Sequence, residues 1–119
     1  MSDAKDILVV DDEPAIRALY QMAFAHVGHK VHVASTGEEA FELQEKQPSD
    51  LLFLDLNLPG IDGNELCRKI KARWPDTTCI AITGYTSKYR HELCLESGFS
   101  RVLTKPTSLQ DLMSAANDA

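Results

Sequence analysis

Five short apolar runs recur along the chain, and segments with a helical period separate them. Ile7 to Val10, Leu51 to Leu54 and Cys79 to Ile82 are apolar at every position, the pattern of strands buried on both faces of a sheet. Val31 and Val33 alternate with Lys30 and His32, which predicts a half-exposed edge strand. A fifth strand is predicted over Ser100 to Thr104. Helices fill the gaps. Pro14 opens one with Ile16, Leu19, Tyr20, Ala23 and Val27 on one side, and Gly28 stops it. Thr36 and Glu39 have the spacing of a capping box and start a second helix that runs through Glu45. Leu66, Cys67, Ile70 and Trp74 mark a third, ended by Pro75. Ser87 to Glu96 is a fourth with a thin apolar stripe, ended by Gly98. The stretch Thr107-Ser108-Leu109-Gln110 caps a fifth helix carrying Leu109, Leu112, Met113 and Ala116.

Five strands alternating with five helices predict an α/β fold, a five-stranded parallel sheet with helices on both faces, because right-handed crossovers place them there. The edge-like second strand and the more buried first and third favour the order 2-1-3-4-5, a flavodoxin-like doubly wound sheet with its switch point between strands 1 and 3. The 119 residues make one domain, 1–119, large enough to bury an ordinary core. No segment approaches the roughly 18 apolar residues of a membrane span. Met1 to Asp6 is polar and acidic rather than a signal peptide, so the expectation is a cytoplasmic protein without membrane contact. Twelve basic against eighteen acidic residues give a net charge of -6, which argues against direct charge-driven binding of nucleic acid. Cys67, Cys79 and Cys94 lack metal-ligand spacing and are expected to be reduced, buried and small. His26, His29 and His32 are expected at the surface, pointing in different directions.

The chemistry lies in how the strands end. The first run delivers Asp11-Asp12-Glu13, the third Asp55, the fourth Thr83 and the fifth Lys105. In a parallel sheet all carboxyl ends share one edge, so these side chains can converge at the switch point. Any one of them has an ordinary explanation: Asp12 or Glu13 as a helix cap, Asp55 as a loop acid, Thr83 and Lys105 as strand ends. Their joint placement on four of five strands does not. Carboxylates about 4 Å apart repel by about 4 kcal/mol at an effective dielectric near 20, so a divalent cation is called for. An all-oxygen set suits Mg²⁺ (or Mn²⁺) better than zinc. With Lys105 as a mobile positive charge and Thr83 as a hydroxyl donor beside Gly84, the set predicts a phosphoryl-transfer site with Asp55 as nucleophile.

These residues resemble the receiver domains of bacterial two-component response regulators. The resemblance rests on Val10-Asp11-Asp12-Glu13, Asp55 within Leu-Asp-Leu-Asn-Leu-Pro-Gly-Ile-Asp-Gly, Thr83-Gly84 and Lys105-Pro106, and it covers nearly the whole chain. A chemotaxis member of that family has the same strand order, so the order is not independent of the resemblance. The resemblance implies that Asp55 accepts a phosphoryl group from a phosphohistidine of a histidine kinase or phosphotransfer protein. It implies Mg²⁺ ligation by Asp12, Asp55 and the backbone carbonyl of Asn57, with Asp11 acting through water. It also implies phosphoryl contacts from Thr83 and Lys105, a cis Lys105-Pro106 bond, and tuning of hydrolysis by Asn57 and Tyr85. A downstream effector would be met through the face formed by helix 4, strand 5 and helix 5.

One position departs from the family. Receiver domains usually carry Tyr or Phe three residues before the Lys-Pro lysine, and here that residue is Val102. The expectation is that Tyr85 or Tyr89 packs there and that the response is carried by residues 84–92. Two other classes compete: a receiver-like interaction module independent of phosphorylation, against which the intact Asp, Thr and Lys set weighs, and an Asp-nucleophile phosphatase, whose second acid is replaced by Asn57. A nucleotide-binding relative is disfavoured because no Gly-rich loop follows the first strand.

Overall fold

A computed structural model of the chain describes residues 4–84 and 87–119. The elements are β1 (Asp6–Val10), α1 (Pro14–His26), β2 (Lys30–Ala34), α2 (Gly37–Lys46), β3 (Leu51–Asp55), α3 (Gly63–Arg73), β4 (Thr78–Thr83), α4 (Lys88–Ser97), β5 (Arg101–Thr104) and α5 (Leu109–Asp118). The strands form one parallel sheet in the order β2-β1-β3-β4-β5, as the patterning predicts.

The uninterrupted apolar runs are explained by how their residues divide. Side chains alternate across a sheet, so a strand covered on both faces feeds two cores in turn. Leu8, Val10, Leu52, Leu54, Cys79 and Ala81 point to one core, which α3 closes with Leu66, Cys67 and Ile70. Ile7, Val9, Leu51, Phe53, Ile80 and Ile82 point to the other, closed by Tyr20 and Phe24 of α1 and Leu112, Ala115 and Ala116 of α5. The rings of Phe24 and Phe53 lie 5.0 Å apart and anchor the second core. β2, at the edge, is only partly buried until Ala34. All three cysteines are free and buried, as expected.

Helix ends follow the local chemistry. Thr36 Oγ1 accepts the Glu39 N–H at 3.1 Å, while the Glu39 carboxylate takes the Ser35 N–H at 2.7 Å rather than that of Thr36. Asp62, Ser87 and Ser108 each cap a helix by accepting the N–H three residues on. Gly98 ends α4 with φ at 111°, a conformation that favours glycine.

Two expectations need correction. The inner face of α1 is rotated from the predicted stripe: Tyr20 and Phe24 are buried, whereas Leu19, Val27 and Met22 are exposed. Leu19, Met22, Ala23, Val27, Leu109 and Met113 instead line an open groove between α1 and α5. The second correction concerns His29, which is buried rather than at the surface, while His26 is exposed as expected. The turn at Gly28 folds His29 back so that its Nδ1 accepts the Lys5 N–H at 3.0 Å and its ring meets Phe24 edge-on. Lys5 in turn donates through Nζ to the carbonyls of Ala116 and Ala119, tying the start of β1 to the end of α5.

Burial, and then the charge of Lys5, hold the His29 pKa below its ordinary 6.5. The folded state therefore keeps His29 neutral where the unfolded chain takes up a proton. The associated stability is complete above pH 6.5 and is lost as the pH falls through the folded pKa. His29→Asn, which keeps a neutral acceptor, should flatten the acid limb of the stability curve, measured by urea unfolding across that range. An unchanged slope would assign acid sensitivity to other groups.

Candidate functional site

Strand register brings the chemistry together. β1 hands over to Asp11 and Asp12, β3 ends on Asp55, β4 on Thr83, and β5 leads through Thr104 to Lys105. Asp55 is paired with Ile82, so Thr83 stands one residue further along the neighbouring strand. The Lys105 N–H donates to the Thr83 carbonyl at 2.8 Å, fixing the lysine at the same edge, and the Lys105-Pro106 bond is cis.

Asp11 and Asp55 are 2% and 3% exposed, and each is held by the same device. One oxygen accepts the N–H two residues on: Asp11 Oδ1 from Glu13 at 2.9 Å and Asp55 Oδ1 from Asn57 at 3.0 Å. The other oxygen turns to Lys105, whose Nζ lies 3.0 Å from Asp55 Oδ2 and 3.4 Å from Asp11 Oδ2. Asp12 is exposed at the mouth, and a carboxylate oxygen from each of Asp11, Asp12 and Asp55 lies within 4.8 Å of the others. Helix capping does not account for these acids. Glu13, at the N-cap position of α1, makes no side-chain capping bond.

The electrostatics follow from crowding. Burial raises the Asp11 pKa, opposed by the Glu13 N–H and by the charge of Lys105, and the nearby Asp55 raises it further. For Lys105, burial is the largest single effect and works downward. The hydrogen bond and charge of Asp55, joined by Asp11, together outweigh it and leave the ammonium harder to deprotonate than usual. Three acids against one ammonium leave negative charge uncompensated, and an all-oxygen set of this kind could hold a divalent metal ion.

Three contributors escaped the sequence argument. Arg17 donates to the Asp11 carbonyl at 2.8 Å and ties α1 to the acidic loop. Tyr20, read as core, is buried beside this edge, near the Thr107 side chain. Burial chiefly raises its pKa, and the charges of Lys105, Asp11 and Asp55 all reach it. Gly63 permits the closest packing in the site: a Cβ there would lie 2.8 Å from Leu56 Cα and 2.9 Å from the Asp55 carbonyl oxygen. Only the helical period of α1 and the Asp-Gly pair hinted at these roles. Of the remaining expected residues, Asn57 and Gly84 lie exposed at the rim, and Thr83 is fully buried. Val102 is half-buried against the α3 and α4 core. Tyr85 and the side chain of Tyr89 lie outside the described residues, so the packing expected of them is not described.

A parallel sheet of this order, with acids and a lysine gathered at its carboxyl edge, defines a class of signalling domain, and comparison with known proteins agrees. Residues 7–117 match the family model described as response regulator receiver domain. The chain is 37% identical over 107 residues to the transcriptional regulatory protein TrcR of Mycobacterium tuberculosis, covering 90% of this chain and 42% of that one. A receiver domain protein from Methanospirillum hungatei superposes with a TM-score of 0.92 at 29% identity, covering 98% of this chain and 93% of that one. The BeF3-activated N-terminal receiver domain of RstA from Klebsiella pneumoniae does so at 0.88 and 30% identity, covering 94% and 95%. The chain belongs to the response regulator receiver domain family. It spans less than half the length of the curated relatives it matches. Among the described residues no helix is long and apolar enough to cross a membrane.

Because Asp12 adds charge without a bond to Lys105, removing it should relieve repulsion. Asp12→Ala is expected to raise the thermal midpoint in EDTA by an amount corresponding to about 1 kcal/mol, an exposed carboxylate being well screened. The same variant should lose most of the increase that millimolar Mg²⁺ gives the native chain. Calorimetry with and without Mg²⁺ checks both, and an undiminished Mg²⁺ effect would exclude Asp12 as a ligand.

Proposed function

We propose that Asp55 accepts a phosphoryl group from the phosphohistidine of a histidine kinase or phosphotransfer protein, and that the phosphorylated domain changes its binding to a downstream partner. The observation that carries this reading is Lys105 spanning two nearly buried carboxylates, 3.0 Å from Asp55, at the mouth of a metal-competent acidic set. A structural ion pair would neutralise its acids, whereas this one leaves them in excess.

In the transfer, a carboxylate oxygen of Asp55 bonds to phosphorus as the donor's N–P bond breaks, and the electron pair stays on the imidazole nitrogen. Asp55 then carries an acyl phosphate. Lys105 moves from carboxylate to phosphoryl oxygens as charge shifts outward, and Thr83 supplies a hydroxyl to another of them. Asp12, Asp55 and the backbone carbonyl of Asn57 would hold Mg²⁺ (or Mn²⁺), with Asp11 supporting it through water. The ion, when bound, neutralises the carboxylates and polarises the phosphoryl group. Output would leave by the surface of α4, β5 and α5, towards a partner or a domain of the kind that makes the relatives longer.

The test is incubation with acetyl phosphate and Mg²⁺ followed by intact mass. The native chain should gain one phosphoryl group, and Asp55→Asn should gain none while keeping its circular dichroism. A gain of equal rate in Asp55→Asn would overturn the assignment. A folded native chain that never gains mass would favour an interaction module independent of phosphorylation.

A further inference from the structure

Beside the acidic site, the first turns of α3 and α4 enclose a cavity of about 390 Å³. Its walls include Asn57 after β3, Asn64 in the first turn of α3, and Ser87 and Arg90 at the start of α4, over a floor of Leu56 and Leu93. Asn64 is 7% exposed, and its Oδ1 is the one buried side-chain polar atom among the described residues without a hydrogen-bond partner. Such an orphan acceptor loses its hydration without regaining a bond, a cost that an apolar side chain of the same shape there would not carry. An uncompensated group in a closed core would have no use. Asn64 and Ser87 line the same cavity, so a rearrangement of its walls can bring a donor to that oxygen.

The donor is at hand. Ser87 Oγ accepts the Arg90 N–H at 3.1 Å as the cap of α4, and that bond leaves the hydroxyl proton free to be given. Among its described residues, α4 buries Cys94 and Ser97, while Leu95 is exposed. Asn57 joins this cavity to the reacting group, since its N–H is bonded to Asp55 Oδ1. A change at the Asp55 carboxylate therefore reaches the cavity wall through one bond.

We propose that Asn64 is a positioning residue of the phosphoryl switch: its unpaired Oδ1 receives the Ser87 hydroxyl when Asp55 is phosphorylated, drawing the first turn of α4 towards α3. The proposal rests on the phosphoacceptor reading above. A contact made in one state and absent from the other shifts the balance between them by its own free energy, which is how an orphan acceptor in the resting state becomes useful.

The experiment compares amide chemical shifts of the native chain and three variants with Mg²⁺, with and without beryllofluoride as phosphoryl mimic. Asn64→Leu removes the acceptor. Ser87→Asp keeps the cap but, as a carboxylate, has no proton to donate. Ser87→Thr keeps both. The expected result is a native response at residues 53–57 and at 87–92. Asn64→Leu and Ser87→Asp keep the first and lose the second severalfold, and Ser87→Thr matches the native chain. Asn64→Leu should also have an equal or higher midpoint without the mimic. A full response at 87–92 in Asn64→Leu, as when a bridging water satisfies the amide, overturns the proposal and leaves the phosphoacceptor reading intact. No response at residues 53–57 in the native chain overturns both.

Discussion

One ammonium group shared between two buried carboxylates is the constraint around which this domain is arranged. Asp11 and Asp55 stand side by side at the carboxyl ends of β1 and β3 because those strands are neighbours, and their repulsion is tolerable only because Lys105 arrives between them. That arrival depends on β5 being in the same sheet and parallel to the rest. The whole topology thus meets at a single Nζ. A pair of charges this buried contributes little net stability by itself, since desolvation offsets much of the attraction. The fold's stability comes from the two apolar layers above and below the sheet, and those layers hold the charges where they are.

The sheet was legible because its signal is local. Four apolar residues followed by an acid can be recognised without knowing what packs on them, and the common edge of a parallel sheet converts sequence position into spatial position. The charged set of Asp11, Asp12, Asp55 and Lys105 followed from that rule alone. Helix faces were less legible. In α1, Leu19 and Val27 belong to the same periodic stripe as Tyr20, yet they stay exposed while Tyr20 and Phe24 are buried and Ile16 packs partly beside them, because α1, lying along β1 and β2, buries a narrower face than periodicity can resolve. His29 failed for a related reason. Its burial depends on a turn that brings Lys5 alongside, a contact across 24 residues with no trace in the neighbouring sequence.

Polar groups inside the protein were the least visible. Gln44 sits within α2 among charged neighbours and reads as a surface residue. It is fully buried, donating to the Ser49 carbonyl at 3.0 Å and accepting the Ser49 N–H at 2.9 Å, and so closes the turn into β3. Arg17 and Tyr20 reach the acidic edge from α1, one by a bond to a backbone carbonyl and the other as a buried phenol within range of its charges. Such roles are set by where helices come to rest, and no residue-by-residue pattern anticipates them.

The three buried thiols have a practical corollary. Cys67, Cys79 and Cys94 are each fully enclosed, in α3, β4 and α4. Maleimide or nitroxide reagents, which need an accessible thiolate, find no accessible target among them while the chain is folded. The native molecule is therefore its own blank for site-directed spectroscopy, and a cysteine placed on any outer surface becomes a single addressable handle. Fluorophores or spin labels can be introduced one at a time, and the background they would be read against is already dark.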